Sequence, residues 1–453
     1  MATIRFTGNA EAVAQVDTFT PANVEIGDIF TLTVTGLDGT THAVSFVATA
    51  ATVANVTAGL VAAWNNDTDA LCTPITAADN TTNLTLTADT AGTAFSVAST
   101  AVNGGAADTQ TLTRAATTAN AGPSDWSSAD NWSGGAVPGG AASQDVYVEG
   151  ATILYGLDQS AIANTLSSLN ISKSQIGSNP ADGYLATYLQ IKASVLNIGR
   201  HNGPGTAIES TPVNIDVGST ACAITVYNTG TNSTSTLPAV RIKANSASTT
   251  LNVKSGKVGV ATESGETTTV SSITASSGSS VYIGSGVTLT TLNVTGGTVQ
   301  LYCAATTVNV LSGSLTTEGS GAITTMNITG GTVVSNTSGA MTTLNMAGGT
   351  ATIQTIATTV NISGGTLTTE GSTAVTTMNV SGGTVYSKST GTITTLNIAD
   401  GMGTVDFTTS KAARTVTTIK LEVGGVLKYD PNVLTITNKV DSDNPVKLTA
   451  AAA

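Results

Sequence analysis

Charge is scarce in this chain. Of 453 residues only 10% are charged, and the balance is 28 acidic against 16 basic side chains. The basic residues are scattered, and the formal net charge is −12. Phosphate backbones are held by clustered Lys and Arg, so nucleic acid is not an expected partner. An acidic surface likewise discourages binding to anionic membranes. Aromatics are also rare, at 4%. Cysteine occurs at Cys72, Cys222 and Cys303 only, an odd number at wide spacing. That pattern is neither a disulfide framework nor a metal motif, and thiols of this kind are usually buried. His42 and His201 are the only histidines, and they form no HxH or HExxH pattern. There is no apolar run of the roughly 18 residues a transmembrane helix needs. The opening Met1-Ala2-Thr3-Ile4-Arg5 lacks the basic and apolar regions of a secretory signal. The expectation is synthesis and folding in a cytoplasm, with no membrane partner.

The chain is instead rich in threonine, valine, serine and glycine, with 48 glycines and 40% apolar residues. Apolar content at that level with so little charge argues against disorder. Threonine and valine favour strands, so the composition is all-β in type. The length accommodates two or three domains and a sizeable core.

An internal repeat organises the second half. A phrase of the form Thr-Thr-(Leu/Met/Val)-Asn-(Val/Ile/Met), usually followed by Gly-Gly-Thr, recurs through residues 291–400. Its asparagines are Asn293, Asn309, Asn327, Asn345, Asn361, Asn379 and Asn397, at gaps of 16, 18, 18, 16, 18 and 18 residues. Three gaps make a unit of 52 residues, and 309–360 matches 361–412 closely, as in LTTEGSGAITTMNITGGTV against LTTEGSTAVTTMNVSGGTV. Within the phrase, Leu292 and Val294 share one face of a strand, while Thr291 and Asn293 share the other. Gly296-Gly297 supplies a turn that needs positive φ, and Val299 and Leu301 resume the alternation. A rung of 16–18 residues is too short for a βαβ unit. It suits a coil of two or three short strands stacked on the next coil.

Weaker copies lie upstream at Leu169-Asn170-Ile171, Leu196-Asn197-Ile198, Val213-Asn214-Ile215 and Leu251-Asn252-Val253. The expected fold is mainly β, a parallel β-helix (solenoid), read as right-handed, of 16–18-residue rungs. About 15 rungs would fit into residues 145–430, at one inter-strand spacing per rung. The asparagine column should point outward, either as an amide ladder along the solenoid or as a polar binding face. The tail, residues 431–453, holds more charge and reads as a C-terminal cap over an otherwise open edge.

Residues 1–116 read as a small α+β module of order β-β-α-β-β. Ile26–Val34 and His42–Ala48 form a hairpin around Gly36-Leu37-Asp38-Gly39. Val53, Val56, Leu60, Val61 and Trp64 fall on one face of a helix over 52–65. Asn83–Ala88 and Phe95–Ala98 supply two further strands. Residues 117–144 form a junction that holds Trp126 and Trp132.

Catalytic chemistry finds little support. Glycoside hydrolysis needs two carboxyl groups about 5–9.5 Å apart. Glu318 and Glu370 are equivalent positions three rungs apart, hence about 14 Å. Glu263 and Glu266 read as a solvated loop, and Asp400 and Asp406 as turn residues. Arg200-His201 with Glu209, near Gly203-Pro204-Gly205, is the densest polar cluster. No GxSxG, Walker or GxGxxG motif occurs in a strand-to-helix setting. The expectation is therefore no catalytic residue, no metal and no cofactor.

The module sequence GDIFTLTVTG, VSFVATAATVANVTAGLVAAWN and LTLTADTAGTAFSV resembles a small module of tailed-phage and prophage structural proteins, over about the first 100 residues. WSSADNWSGGAVPGG, leading into DVYVEG, resembles the entry segment of bacterial and phage β-solenoid adhesins. There Trp126 and Trp132 would cover the first open rung. The resemblance implies a virion structural protein, a capsid decoration or head-fibre protein at the virion surface. It also implies a homotrimer, attached to the major capsid or another virion protein through the N-terminal module. A host-surface glycan is a further candidate partner. A tail fibre or tailspike receptor-binding protein with polysaccharide depolymerase activity, or a bacterial surface adhesin, is the alternative.

Overall fold

The protein is described by a computed structural model covering every residue except 1, 37–39, 105–108, 150, 152, 155, 172–187, 200–212, 230–237, 400–401, 442–447 and 451–453. Strands hold 51% of the residues and helix 4%, and the dominant element is a parallel β-solenoid of about 13 turns. The chain divides into two compact units, Met1–Gly218 and Ser219–Ala453.

The first unit opens with β1 (Ala2–Arg5) and then leaves the solenoid for the module: β2 (Val16–Ala22), β3 (Ile29–Thr35), β4 (Thr41–Val47), α1 (Val53–Asn65), β5 (Ile75–Asp79), β6 (Leu84–Ala88), β7 (Ser96–Val102) and β8 (Thr111–Thr118). The hairpin, helix and two later strands lie where the alternation puts them. Thr52 caps α1, its side chain accepting from the Asn55 amide. Val56, Leu60 and Trp64 are the buried apolar face of the helix. β2, β5 and β8 are additions to the expected β-β-α-β-β order. The module holds two antiparallel sheets, β5-β6-β2-β8 and β4-β3-β7. Phe19, Phe30, Leu32, Leu84 and Leu86 pack with the helix in a single core.

β2 alternates in burial with period 2, but two of its buried positions are Asp17 and Pro21, so no apolar alternation announces it. Asp17 is fully buried, and Arg114 of β8 donates to it from Nε at 2.9 Å and sits 2.8 Å away through Nη2. Burial pushes the Asp17 carboxyl up, against the opposing pull of Arg114. The ladder to β6 ends at Phe19, opposite Leu84 where β6 begins, while the ladder to β8 continues through Pro21 and Ala22.

After the module the chain rejoins the solenoid. β9 (Gln144–Val148) pairs in parallel with β1 on one side and with β10 (Ser168–Ile171) on the other. β11 (Leu189–Gln190) begins a second sheet, β12 (Val195–Ile198) extends the first beside β10, and β13 (Val213–Asp216) pairs with β11. Two expectations are corrected here. Ala2–Arg5 belongs to the solenoid sheet and not to the module. Val213-Asn214-Ile215 lies in the second sheet, so Asn214 is outside the asparagine column. A four-residue alternation is the same in either sheet, and only the pairing partner tells them apart.

In the second unit each turn contributes one strand to each of two parallel sheets. One sheet runs from Ala223–Val226 to Leu434–Asp441, the other from Val240–Lys243 to Leu448–Ala450. Inward side chains such as Leu292, Val294, Leu344, Leu367 and Leu396 are fully buried. Each contributes about 1.5–3 kcal/mol on burial, but only when a neighbouring turn covers it. In the Gly-Gly turns from Gly296-Gly297 to Gly382-Gly383 the second glycine has positive φ, for example +76° at Gly349. Pairing continues beyond residue 431, since Leu434–Asp441 stacks on Arg414–Leu421 and Leu448–Ala450 on Val426–Tyr429. The C-terminal segment therefore adds a turn instead of only covering one. The count of about 13 turns, below the 15 expected, follows from the longer upstream intervals such as the 27 residues from Asn170 to Asn197.

Candidate functional site: the threonine–asparagine face and the tryptophan junction

The repeated strand Ile323–Ile328 contains the geometry in miniature. Ile323, Met326 and Ile328 point inward and are buried. Thr324 and Thr325 both point outward, so the strand departs from period 2 there, and Asn327 is the next outward residue. Parallel, in-register pairing copies this arrangement from turn to turn. Thr291, Thr307, Thr325, Thr343, Thr359, Thr377, Thr395 and Thr418 align in one column. Asn293, Asn309, Asn327, Asn345, Asn361, Asn379 and Asn397 align in the next, each half-buried.

The seven asparagines form a continuous amide ladder. Each Nδ2 from Asn309 onward donates to the Oδ1 one turn earlier, at 2.8–2.9 Å across all six bonds. Below the ladder Asn293 faces Thr274, and above it Lys420 stands opposite Asn397. Lys420 Nζ is 2.7 Å from Glu422, so the ladder gives way to an ion pair. A shorter copy exists in the first unit, where Asn197 donates to Asn170 at 2.7 Å. A groove of about 530 Å³ follows Asn327, Asn345, Asn361 and Asn379, with Thr329, Ala347 and Ser381 along its other wall. Ladder bonding uses one N–H and one lone pair of each amide.

Changing Asn345 to Ala breaks two ladder bonds and strands the Asn361 donor and the Asn327 acceptor. The expected loss of stability is about 1–3 kcal/mol in chemical denaturation. Asn345→Asp should cost more, because a carboxylate meets the Asn327 carbonyl oxygen with no proton between them.

Trp126 and Trp132 lie against each other, ring centroids 4.5 Å apart at 72°, and Phe6 packs edge-on to Trp132 at 5.0 Å. Both indoles are 2% exposed. Carbohydrate stacking needs an open ring face, which neither offers. Trp132 Nε1 donates to the Trp126 carbonyl at 2.8 Å. Asn131, fully buried, donates to the Gly122 and Asp125 carbonyls and accepts from the Ala10 amide. Ser133 closes the outer edge of β1 at Arg5, accepting from the Arg5 amide through Oγ and donating its own N–H to the Arg5 carbonyl. Phe6 was not singled out from the sequence. The alternation of Ile4 and Phe6 was the signal for it.

Among the described residues, the acidic side chains weighed from the sequence each engage another partner. Glu318 accepts from Asn336 at 2.9 Å, and Glu370 lies 3.7 Å from Lys388. Glu263 pairs with Arg241 at 2.7 Å, and its backbone amide donates to Glu266. Asp406 accepts from Thr408 in a turn and stands 4.0 Å from Lys428. Asp400, Arg200, His201, Glu209 and Gly203-Pro204-Gly205 fall outside the described residues. The three cysteines are buried.

No protein-family model, no curated protein and no solved structure matches this chain. What it can do is therefore argued from its own residues. A face of threonine and asparagine columns, bonded lengthwise, suits lateral contact or passive extension better than bond making.

Proposed function

We propose that this chain is a non-catalytic virion structural protein, a capsid decoration or head-fibre protein of a tailed phage or prophage. Its solenoid is the projecting part and its N-terminal module the attachment to the major capsid or another virion protein. The observation that supports the structural reading most is the unbroken asparagine ladder from Asn293 to Asn397. Side chains that a binding or catalytic surface would leave available are here bonded to their own copies in adjacent turns. The placement on a virion rests on the resemblance of the module and junction sequences, and so does the homotrimer.

The way the module is connected suggests the test. Val13 N–H donates to the Ala121 carbonyl at 2.8 Å, so the module leaves and re-enters the chain through adjacent residues. Residues 14–120 can therefore be replaced by a short glycine linker while β1 is kept. The expected product is a soluble protein with a solenoid circular-dichroism spectrum that no longer associates with particles. Particle association unchanged by the excision would overturn the attachment role.

A further inference from the structure

His42, Asp67, Asp69 and Cys72 meet at one place in the module, at the start of β4 and in the loop between α1 and β5. The sequence hides this, because His42 is 25 residues from Asp67 and on a different element. The loop builds two successive turns with its aspartates. Asp67 Oδ1 accepts from the Asp69 amide at 2.8 Å, and Asp69 Oδ1 accepts from the Leu71 amide at 2.8 Å. Each carboxylate is left with its Oδ2, and both of these address one imidazole. Asp67 Oδ2 lies 2.8 Å from His42 Nε2, and Asp69 Oδ2 lies 3.3 Å from Nδ1. The Cys72 amide donates to the Asp69 carbonyl at 3.0 Å, and its side chain is buried. Ligand atoms of His42, Asp67 and Cys72 all lie within 4.8 Å of one another.

We propose that His42, Asp67 and Cys72 form a binding site for a transition-metal dication of the zinc type, with Asp69 as the outer partner that orients the histidine. The donor set is one imidazole nitrogen, one carboxylate oxygen and one thiolate. That mixture suits borderline ions and not calcium or magnesium, which take oxygen ligands. Three protein ligands leave a fourth tetrahedral position for water. The roles of the two aspartates follow from the imidazole. A ligating histidine coordinates through one nitrogen and donates its other N–H to a carboxylate, the relation Asp69 has to Nδ1. The ion would then occupy the place of the proton shared by Nε2 and Asp67. Tetrahedral donors lie about 3.3–3.8 Å apart for bonds of about 2.0–2.3 Å, so modest side-chain movement closes the site.

One carboxylate faces each ring nitrogen, and the hydrogen bond to Asp67 above all favours the protonated imidazole while the ion is absent. Burial, with added push from Asp67 and Asp69, raises the Cys72 thiol to about 12, so it too is protonated. Coordination needs Nε2 and the thiol free of protons, so the ion competes with protons at both atoms. The ion would join β4 to the α1–β5 loop and staple the module.

The test uses the full chain, freed of metal with a chelator and titrated with cobalt(II) chloride as a spectroscopic substitute for zinc. One equivalent should bring in visible d–d bands and a near-ultraviolet thiolate-to-cobalt charge-transfer band, both removed by added zinc chloride. Cys72→Ser should lose the charge-transfer band, while the Cys222→Ser/Cys303→Ser double variant keeps it. His42→Gln changes a partly exposed residue and should lose stoichiometric binding with the circular-dichroism spectrum unchanged, so the reading survives if Cys72→Ser misfolds. Natively folded wild type without a thiolate band, or a band that persists in folded Cys72→Ser, would overturn the proposal.

Discussion

Replacing Trp126 by alanine should lower the stability of the first unit by about 3–5 kcal/mol, the range for emptying a large buried aromatic site. The ring is 2% exposed and packed against Trp132 at 4.5 Å, which in turn meets Phe6. Neighbouring turns of a solenoid support only one another, so the loss should be local before it is global. Hydrogen exchange should rise first in Ala2–Arg5 and Gln144–Val148, the outermost paired strands, and later or not at all in residues 291–398. Trp132→Phe tests a separate term. It keeps an aromatic ring but removes the donor to the Trp126 carbonyl, for an expected cost of about 1–3 kcal/mol from the stranded acceptor. A loss below about 1 kcal/mol for Trp126→Ala would mean that the aromatic cluster does not hold the start of the solenoid.

Gly349→Ala should destabilise the second unit by about 2–5 kcal/mol, combining backbone strain with overpacking. Its φ is +76°, where a Cβ is disfavoured, and an added Cβ would lie 2.6 Å from the Gly331 carbonyl oxygen. That oxygen cannot withdraw freely, because it accepts from the Thr350 amide at 2.9 Å. Glycine is thus required twice over, by conformation and by the stacking of one turn on another. Gly134 has neither constraint, with open space around it and no positive φ, so Gly134→Ala should stay within about 0.5 kcal/mol of wild type. Urea denaturation of both variants supplies the comparison. Equal midpoints would contradict close turn-on-turn stacking.

Much of the solenoid was legible because its period is short and its inward residues repeat. Leu344 and Met346, or Met378 and Val380, announce a buried face in any single phrase, and the gaps between asparagines fix the turn length. The amide ladder followed from register, since a column of identical side chains must meet its own copies. Less was legible where pairing is long-range. β1 pairs with β9 across the whole module, and nothing local in Ala2–Arg5 states that. β2 buries Asp17 and Pro21, and reads as a solvated segment until Arg114 is brought to it from β8. Asn214 has the right neighbours for the asparagine column but belongs to the other sheet. The histidine–aspartate–cysteine cluster is assembled from a strand and a loop, with no motif spacing, so only the folded chain brings its ligand atoms together.

The central claim, that this chain is a virion surface component, is tested most directly by immunogold electron microscopy of intact, purified particles. The antibody would be raised against residues 291–410, the most regular part of the repeat. Gold over the particle heads is the predicted result. Label confined to the tail tip would move the protein to receptor binding. Particles that carry no label, and no band for this chain when dissolved and blotted, would contradict the account.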